Sequence, residues 1–475
     1  MRVDDSYDLV VIGDQLSGFF LAAGAAQQGM KVLVLEESNF STVLYEVPSG
    51  RLLGDFMAEP VIGLAEGSAA DAFLRSLGLY QDGLDQLFPL HEPPLQVVAP
   101  GFRLDFAYEE AALREALGRV VQLDPAKRDS LARVLAGTTV TRKPFSELVR
   151  ELGLPVGFES LGELQGALYG SLMPRSLGYL DYKDVVANAA RGVRYPVGGR
   201  GAVKERLLAR LQVLGGGLRR ASHVEEIVFE RGRLAGVLLS SYEGFVRAKR
   251  VVGAMAAFRF AELLPREMRS RKLDGMVRAV RPRAWKLGFT LLLPETALPE
   301  GMGSHLALLD PDSGFEGDGF LQLQTFPKGV YGGIPPKHRL VLGRILMPFT
   351  EASLSPRVIS NQLKRARLRL EEVIPFLREQ SFAFFPDPDR LEQDPVFQRY
   401  YNFKNLDFIP GSLLIYEQGF GATQDPLRYL DWRTFGLDGV GLCSRDVRPL
   451  HGLLGEVLSA MDLLALWKRG EGRPR

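Results

Sequence analysis

The spacing of apolar positions changes rhythm along the chain, and the first rhythm is set within 36 residues. Asp8-Leu-Val-Val-Ile12 is a short continuous apolar run, the pattern of a strand buried on both faces. Phe19 to Gln28 predicts a helix, and Lys31-Val-Leu-Val-Leu35 predicts a second buried strand, closed by Glu36. Strand, helix and strand in so short a span make a βαβ unit with a parallel pair. Beyond Glu36 the pattern is irregular to Gly50, and Val61 to Leu79 then predicts a helix with alanine-rich spacing. Residues 95–106 predict a hairpin turning at Pro100-Gly101. Glu109–Val120, Ala126–Leu135, Pro144–Leu152 and Leu161–Met173 predict further helices.

The buried-strand rhythm resumes after Tyr195-Pro-Val-Gly-Gly-Arg-Gly201. A helix follows with Val203, Leu207, Leu208, Leu211 and Leu214 on or near one face, and Gly215-Gly-Gly217 stops it. Leu218–Ser222, His223–Phe229, Leu234–Leu239 and Val246–Val252 predict strands. Lys286–Leu293 and Arg339–Leu346 read as strands in a different setting, and Ser355–Phe376 as a helix. Gly439–Cys443 predicts a last buried strand, and Gly452–Trp467 a closing helix. The blocks without parallel-sheet rhythm, 61–189 and 256–404, read as a second unit inserted into a discontinuous first domain of 1–60, 190–255 and 405–475. No internal repeat or low-complexity segment is visible.

The turn Gly13-Asp-Gln-Leu-Ser-Gly18 carries the chemistry of the first unit. Its spacing is that of a dinucleotide-binding fingerprint, G-x-G-x-x-G, with Gln15 in place of the middle glycine. Gly13 permits a tight exit from the strand, and the small Gly18 and Ala22 let the helix lie close to the sheet. The helix start, Ser17 included, offers amide N–H groups and a positive dipole end to a diphosphate. Glu36 is placed to accept bonds from ribose hydroxyls. Two readings stay open: Gln15 donates its amide to a phosphate, or its side chain blocks the approach and the turn binds nothing.

Charge and cysteine content narrow the classes. Lys and Arg total 58 against 57 Asp and Glu, so no global attraction to nucleic acid is expected. The one cysteine, Cys443, permits no intrachain disulfide and no Cys/His metal cluster. Met1-Arg-Val-Asp-Asp-Ser-Tyr-Asp8 is too charged for a signal peptide, and 450–467 reads as an amphipathic helix rather than a membrane span. The expectation is a cytoplasmic protein, with peripheral membrane contact left open.

The order of the blocks resembles the FAD-dependent oxidoreductases of the amine oxidase and phytoene desaturase group. The resemblance covers most of the chain and rests on three places. The first is Gly13, Gly18, Ala22 and Glu36. The second is Tyr195-Pro-Val-Gly-Gly199 followed by Val224-Glu-Glu-Ile227 and Gly232–Val237. The third is Gly441-Leu-Cys-Ser-Arg-Asp446 with Pro449, Gly452, Gly455 and Ser459. It implies an α/β fold: a Rossmann-like FAD-binding domain of the glutathione-reductase type with an inserted α+β substrate or cap domain. It also implies FAD as cofactor and hydride transfer from an apolar or amine substrate to the flavin. The cofactor-binding set it implies is Gly13, Gln15, Ser17, Gly18, Glu36, Val224, Arg445, Asp446, Gly452 and Gly455. Four departures stand against the family pattern. Gln15 replaces a glycine, Arg445 interrupts Ala-Gly-Asp, Glu456 replaces a small residue, and the segment from Glu36 to Tyr45 lacks the glycine pair. Gln15, the missing glycine pair and Arg445 motivate a second hypothesis, a cofactor-poor relative that keeps the fold as a binding or partner protein.

Other residues allow paired readings. His451 is a proton carrier beside the flavin helix or a capping and packing histidine. No pair of the five histidines has metal-ligand spacing. The basic cluster within 266–286 is a surface for anionic lipid or an acidic partner, or a solvated helix. The aromatics of 381–401 line an apolar pocket or fill a core. No catalytic acid or base stands out.

Overall fold

The computed structural model describes residues 6–36, 43–47, 50–54, 60–91, 95–100, 102–120, 123–139, 141, 143, 145–153, 158–169, 178–240, 244–271, 273–275, 280–310, 319–326, 331, 333–375, 377, 383–393, 414–418 and 435–469. The opening apolar runs form the centre of a five-stranded parallel sheet. Its strands are β1 (Leu9–Gly13), β2 (Val32–Glu36), β3 (Gly217–Arg220), β4 (Val251–Ala254) and β5 (Val440–Leu442), in the order β3-β2-β1-β4-β5. Every residue of β1, β2, β4 and β5 is buried, as unbroken apolar runs require.

Helices α1 (Leu16–Gln27), α2 (Gly199–Val213) and α3 (Gly452–Lys468) pack together against this sheet. The helix α1 starts at Leu16, one turn before the expected Phe19, because Gln15 supplies the extended residue at its start. Leu16 through Ala26 are all buried, since the sheet lies on one side of α1 and α3 on another. Gly18 and Gly24 make that packing possible. A Cβ on Gly18 would lie 2.4 Å from the Ala254 methyl, and one on Gly24 would lie 2.5 Å from Leu464 Cδ1.

A four-stranded sheet (Ser6–Tyr7, Val224–Glu230, Arg233–Leu239 and Phe245–Ala248) flanks the first. The third sheet is the largest, with eight strands. It runs Ala383–Phe385, Val280–Pro294, His338–Pro348, Phe320–Thr325, His305–Leu309, Gln96–Ala99 and Phe102–Asp105, with Leu414–Gln418 also on Val280–Pro294. The expected hairpin at 95–106 thus joins the block after 256, pairing in parallel with His305–Leu309. One face of this sheet buries Trp285, Leu287, Phe289 and Leu291 against the helix Pro356–Val373. The opposite face meets the helices Glu110–Val120, Pro125–Leu135, Phe145–Glu151, Phe158–Tyr169 and Tyr179–Ala189.

The expected helix over Val61–Leu79 is two elements instead. Val61–Ile62 pairs as a strand with Val193–Arg194, and the helix is only Ala69–Ser76, capped by the Ser68 hydroxyl. Glycines at 63 and 67 take positive φ between them, which breaks the helical run. Among the described residues, no helix is long and apolar enough to cross a membrane.

Candidate dinucleotide cradle

The start of α1 is where a diphosphate would meet free amide N–H groups. Here three of those groups are already bonded. Gln15 N–H donates to the Ala254 carbonyl at 3.1 Å, and Gly18 N–H to the Gln15 carbonyl at 3.0 Å. Ser17 N–H donates to Glu456 Oε2 at 3.0 Å. The Gln15 side chain turns towards the closing loop, where its Oε1 accepts from Arg445 N–H at 3.0 Å. The nitrogen of that amide is buried and has no partner among the described residues.

Glu456 is the centre of the arrangement. It sits in the second turn of α3, fully buried, and its Oε1 accepts from Arg200 Nη2 at 2.6 Å and from Arg445 Nε at 2.7 Å. Burial alone would raise its pKa; the guanidiniums of Arg200 and Arg445 outweigh burial and hold the carboxyl below its ordinary value. A carboxylate therefore stands on the amide of Ser17, flanked by two arginines, as a phosphate oxygen would. Arg200 enters from α2, Arg445 from the turn after β5, and Glu456 from α3.

The ribose end is filled at one of its two carboxylate oxygens. Glu36, at the end of β2, is fully buried and paired with the ammonium of Lys204 on α2. Arg220 Nε lies 3.7 Å from its other oxygen. Lys204 also stands 5.1 Å above the Phe19 ring. Arg200 and Lys204 were not expected as site residues. The signal was present: two long cations one turn apart, on the same side of a helix as Val203, Leu207 and Leu208.

The closing motif is a short 3-10 turn, Arg445–Val447, capped by the Ser444 hydroxyl. Asp446 is buried and accepts from Ala257 N–H at 2.7 Å, at the start of the helix Ala257–Glu262. Burial pushes its carboxyl up to about 6, against the opposing pull of the Ala257 amide and Arg445. Its Oδ1 has no hydrogen-bond partner among the described residues. A Cβ on Gly455 would come 2.5 Å from the Arg448 carbonyl oxygen, so helix packing alone requires this glycine. Gly452 begins α3 with φ +50°. Val224 lies at the start of its strand, buried and paired with Leu239.

His451 stands at the start of α3 and caps nothing with its ring; its Nε2 meets Asp184 Oδ2 at 2.8 Å. Cys443 is a packed thiol that burial pushes up to about 12. In the basic cluster, Arg269 donates to the carbonyls of Glu262 and Leu264, and Lys286 is buried in the large sheet. Phe384 stacks on Phe289 in the apolar core, at 4.9 Å between ring centres. Phe382, Phe397, Tyr400 and Tyr401, and residues 37–42 of the missing glycine pair, fall outside the described residues.

The frame is shared with solved oxidoreductases. An oxidoreductase from Methanosarcina mazei superposes with a TM-score of 0.66 at 16% identity, covering 97% of this chain and 100% of its own. The chain has the amine oxidase fold. Cyclohexylamine oxidase from Brevibacterium oxydans gives 0.59 at 18% identity over 99% of this chain and 100% of its own. A putrescine oxidase variant redesigned in cofactor binding gives 0.62 at 11%, over 97% and 98%. No family model and no curated protein sequence matches. Likeness at these identities carries the fold, and function must be argued from the site.

FAD is the group this fold implies, and at its diphosphate the residues here do not fit it. Its diphosphate would need the Ser17 amide that Glu456 holds and would place negative charge against that buried carboxylate. On the ribose side Glu36 holds Lys204 through Oε1, while its Oε2 has no hydrogen-bond partner among the described residues.

Proposed function

We propose that this chain is a binding protein on the amine oxidase frame, a relative whose dinucleotide cradle is closed by its own side chains. The observation that carries this reading is the Glu456 carboxylate on the Ser17 amide, held by Arg200 and Arg445. The glycines that resemble a cofactor fingerprint have another sufficient cause. A Cβ on Gly13 would lie 2.3 Å from the Ala254 oxygen, and Gly18 and Gly455 are equally crowded. Glu36 and Asp446 likewise have work within the fold, one pairing Lys204 and the other capping a helix.

A second reading is an FAD-dependent oxidoreductase, a dehydrogenase, desaturase or oxidase acting on an apolar or amine substrate. The retained βαβ turn and the likeness to oxidases of known structure favour it. Purified protein separates the two. The binding-protein reading expects a colourless sample that releases no flavin on denaturation and takes up no added FAD. A yellow sample that releases FAD stoichiometrically overturns it.

A further inference from the structure

A second cluster of buried polar groups lies on the face of the large sheet that meets the helices. Tyr108 and Tyr169 share a hydrogen bond of 2.6 Å, and the Tyr108 hydroxyl reaches Gln165 Oε1 at 3.3 Å. The Tyr169 ring stands edge-on to His305, 6.0 Å between centres, and His305 Nε2 lies 3.1 Å from the Gln322 amide nitrogen. The Gln324 amide donates to the Tyr195 hydroxyl, and the Tyr195 ring meets His305 at 6.3 Å and His91 at 4.4 Å. These contacts make one continuous group, drawn from the helix Phe158–Tyr169, two sheet strands, the turn before α2 and the segments around His91 and Tyr108.

The group is incompletely bonded. Gln165 Nε2, Gln322 Oε1, Gln324 Oε1 and His91 Nε2 have no hydrogen-bond partner among the described residues. All four side chains are at least nine-tenths buried. A buried amide with half its capacity unused is unfavourable, and here four such unmet groups lie in one cluster. The cluster is also uncharged: burial holds the His91 imidazole down to about 4 and raises the Tyr108 and Tyr169 phenols. Two cations on the same sheet face, Lys286 and Arg344, have partners of their own.

We propose that this cluster binds an uncharged planar molecule carrying a hydrogen-bond donor and acceptor on one edge, of the aromatic carboxamide class. The two open glutamine oxygens need donors and the open Gln165 nitrogen needs an acceptor, so a ligand must offer both. The rings of Tyr169, Tyr195 and His305 present edges that suit a flat partner. No carboxylate among the described residues belongs to the cluster, so an ammonium ligand would be buried without a counter-charge. The proposal deepens the binding-protein reading by giving it a ligand, yet stands on residues remote in sequence from Ser17 and Glu456, so either can fail alone.

Three probes with one ring separate the charge classes: benzamide, benzoate and benzylammonium, titrated into the full-length protein by ligand-observed NMR. Benzamide should bind saturably and at least ten-fold more tightly than either ion. Gln322→Met and Gln165→Met, each checked by thermal melting for a native fold, should each weaken benzamide at least five-fold. The proposal is overturned if benzamide shows no saturable binding, if either ion binds as well, or if both folded variants bind benzamide like the parent. Flavin content, read by colour on the same sample, tests the other reading separately.

Discussion

Replacing Glu456 by alanine, the small residue its position resembles, removes the carboxylate that fills the cradle. In the present structure that carboxylate bonds the Ser17 amide, Arg200 and Arg445 with no solvent exposure. Breaking a buried pair by deleting one partner costs about 3–5 kcal/mol, because the remaining charges stay buried. At roughly 2.1 cal/mol/K per residue, 475 residues give an unfolding entropy near 1 kcal/mol/K, so the melting temperature should fall by about 3–5 °C. The vacated site would hold two guanidiniums and a helix start, which is an anion site. Inorganic pyrophosphate or ADP should therefore bind the variant and restore roughly 2.7 kcal/mol at a hundred-fold excess over Kd. The parent should gain nothing from either anion. Differential scanning fluorimetry with and without pyrophosphate, backed by calorimetric titration, reads both effects. The reasoning fails if the parent is protected by pyrophosphate as strongly as the variant, or if Glu456→Ala melts with the parent.

Further outcomes follow from the same groups. Asp446 titrates near 6 in the folded chain against an ordinary 3.8, so its stability contribution is full below about 3.8 and is lost as pH rises through 6. Asp446→Asn should therefore raise stability at pH 7.5 by about 1–3 kcal/mol, with the gain vanishing near pH 4; equal gains at both pH values in thermal melts would contradict it. Glu456 has the opposite sign: its folded pKa lies below 4.5, so its contribution is present above that value and lost on acidification, and the Glu456→Ala deficit should shrink in melts below pH 4. Lys204→Met should cost about 3–5 kcal/mol by stranding Glu36, and adding Glu36→Gln should recover most of it in a double-mutant cycle. Gly18→Ala pushes a methyl to 2.4 Å from the Ala254 side chain and should cost about 1–3 kcal/mol in chemical denaturation, with or without FAD present.

The parallel sheet was legible because its strands are local apolar runs, and the edges of β1, β2 and β5 fall within a residue or two of the expected ones. The alanine spacing of 61–79 looks helical, while positive φ at Gly63 and Gly67 and pairing with Val193–Arg194 override that preference. Gln15, Arg445 and Glu456 were each visible as departures, but nothing in their neighbourhoods said that they meet. Arg200 and Lys204 do not stand out in the sequence because the helix carrying them reads as amphipathic, and a cation near a buried face ordinarily extends its end to water.

By itself the sequence determined the strands, the tight exit at Gly13 and the small residues where α1 crosses the sheet, since each depends on neighbours a few positions away. Only the tertiary structure decided what occupies the start of that helix. Ser17 and Glu456 are 439 positions apart, and a charge shows its role only when its counter-charges, its solvent access and the dipole it faces are fixed together in space.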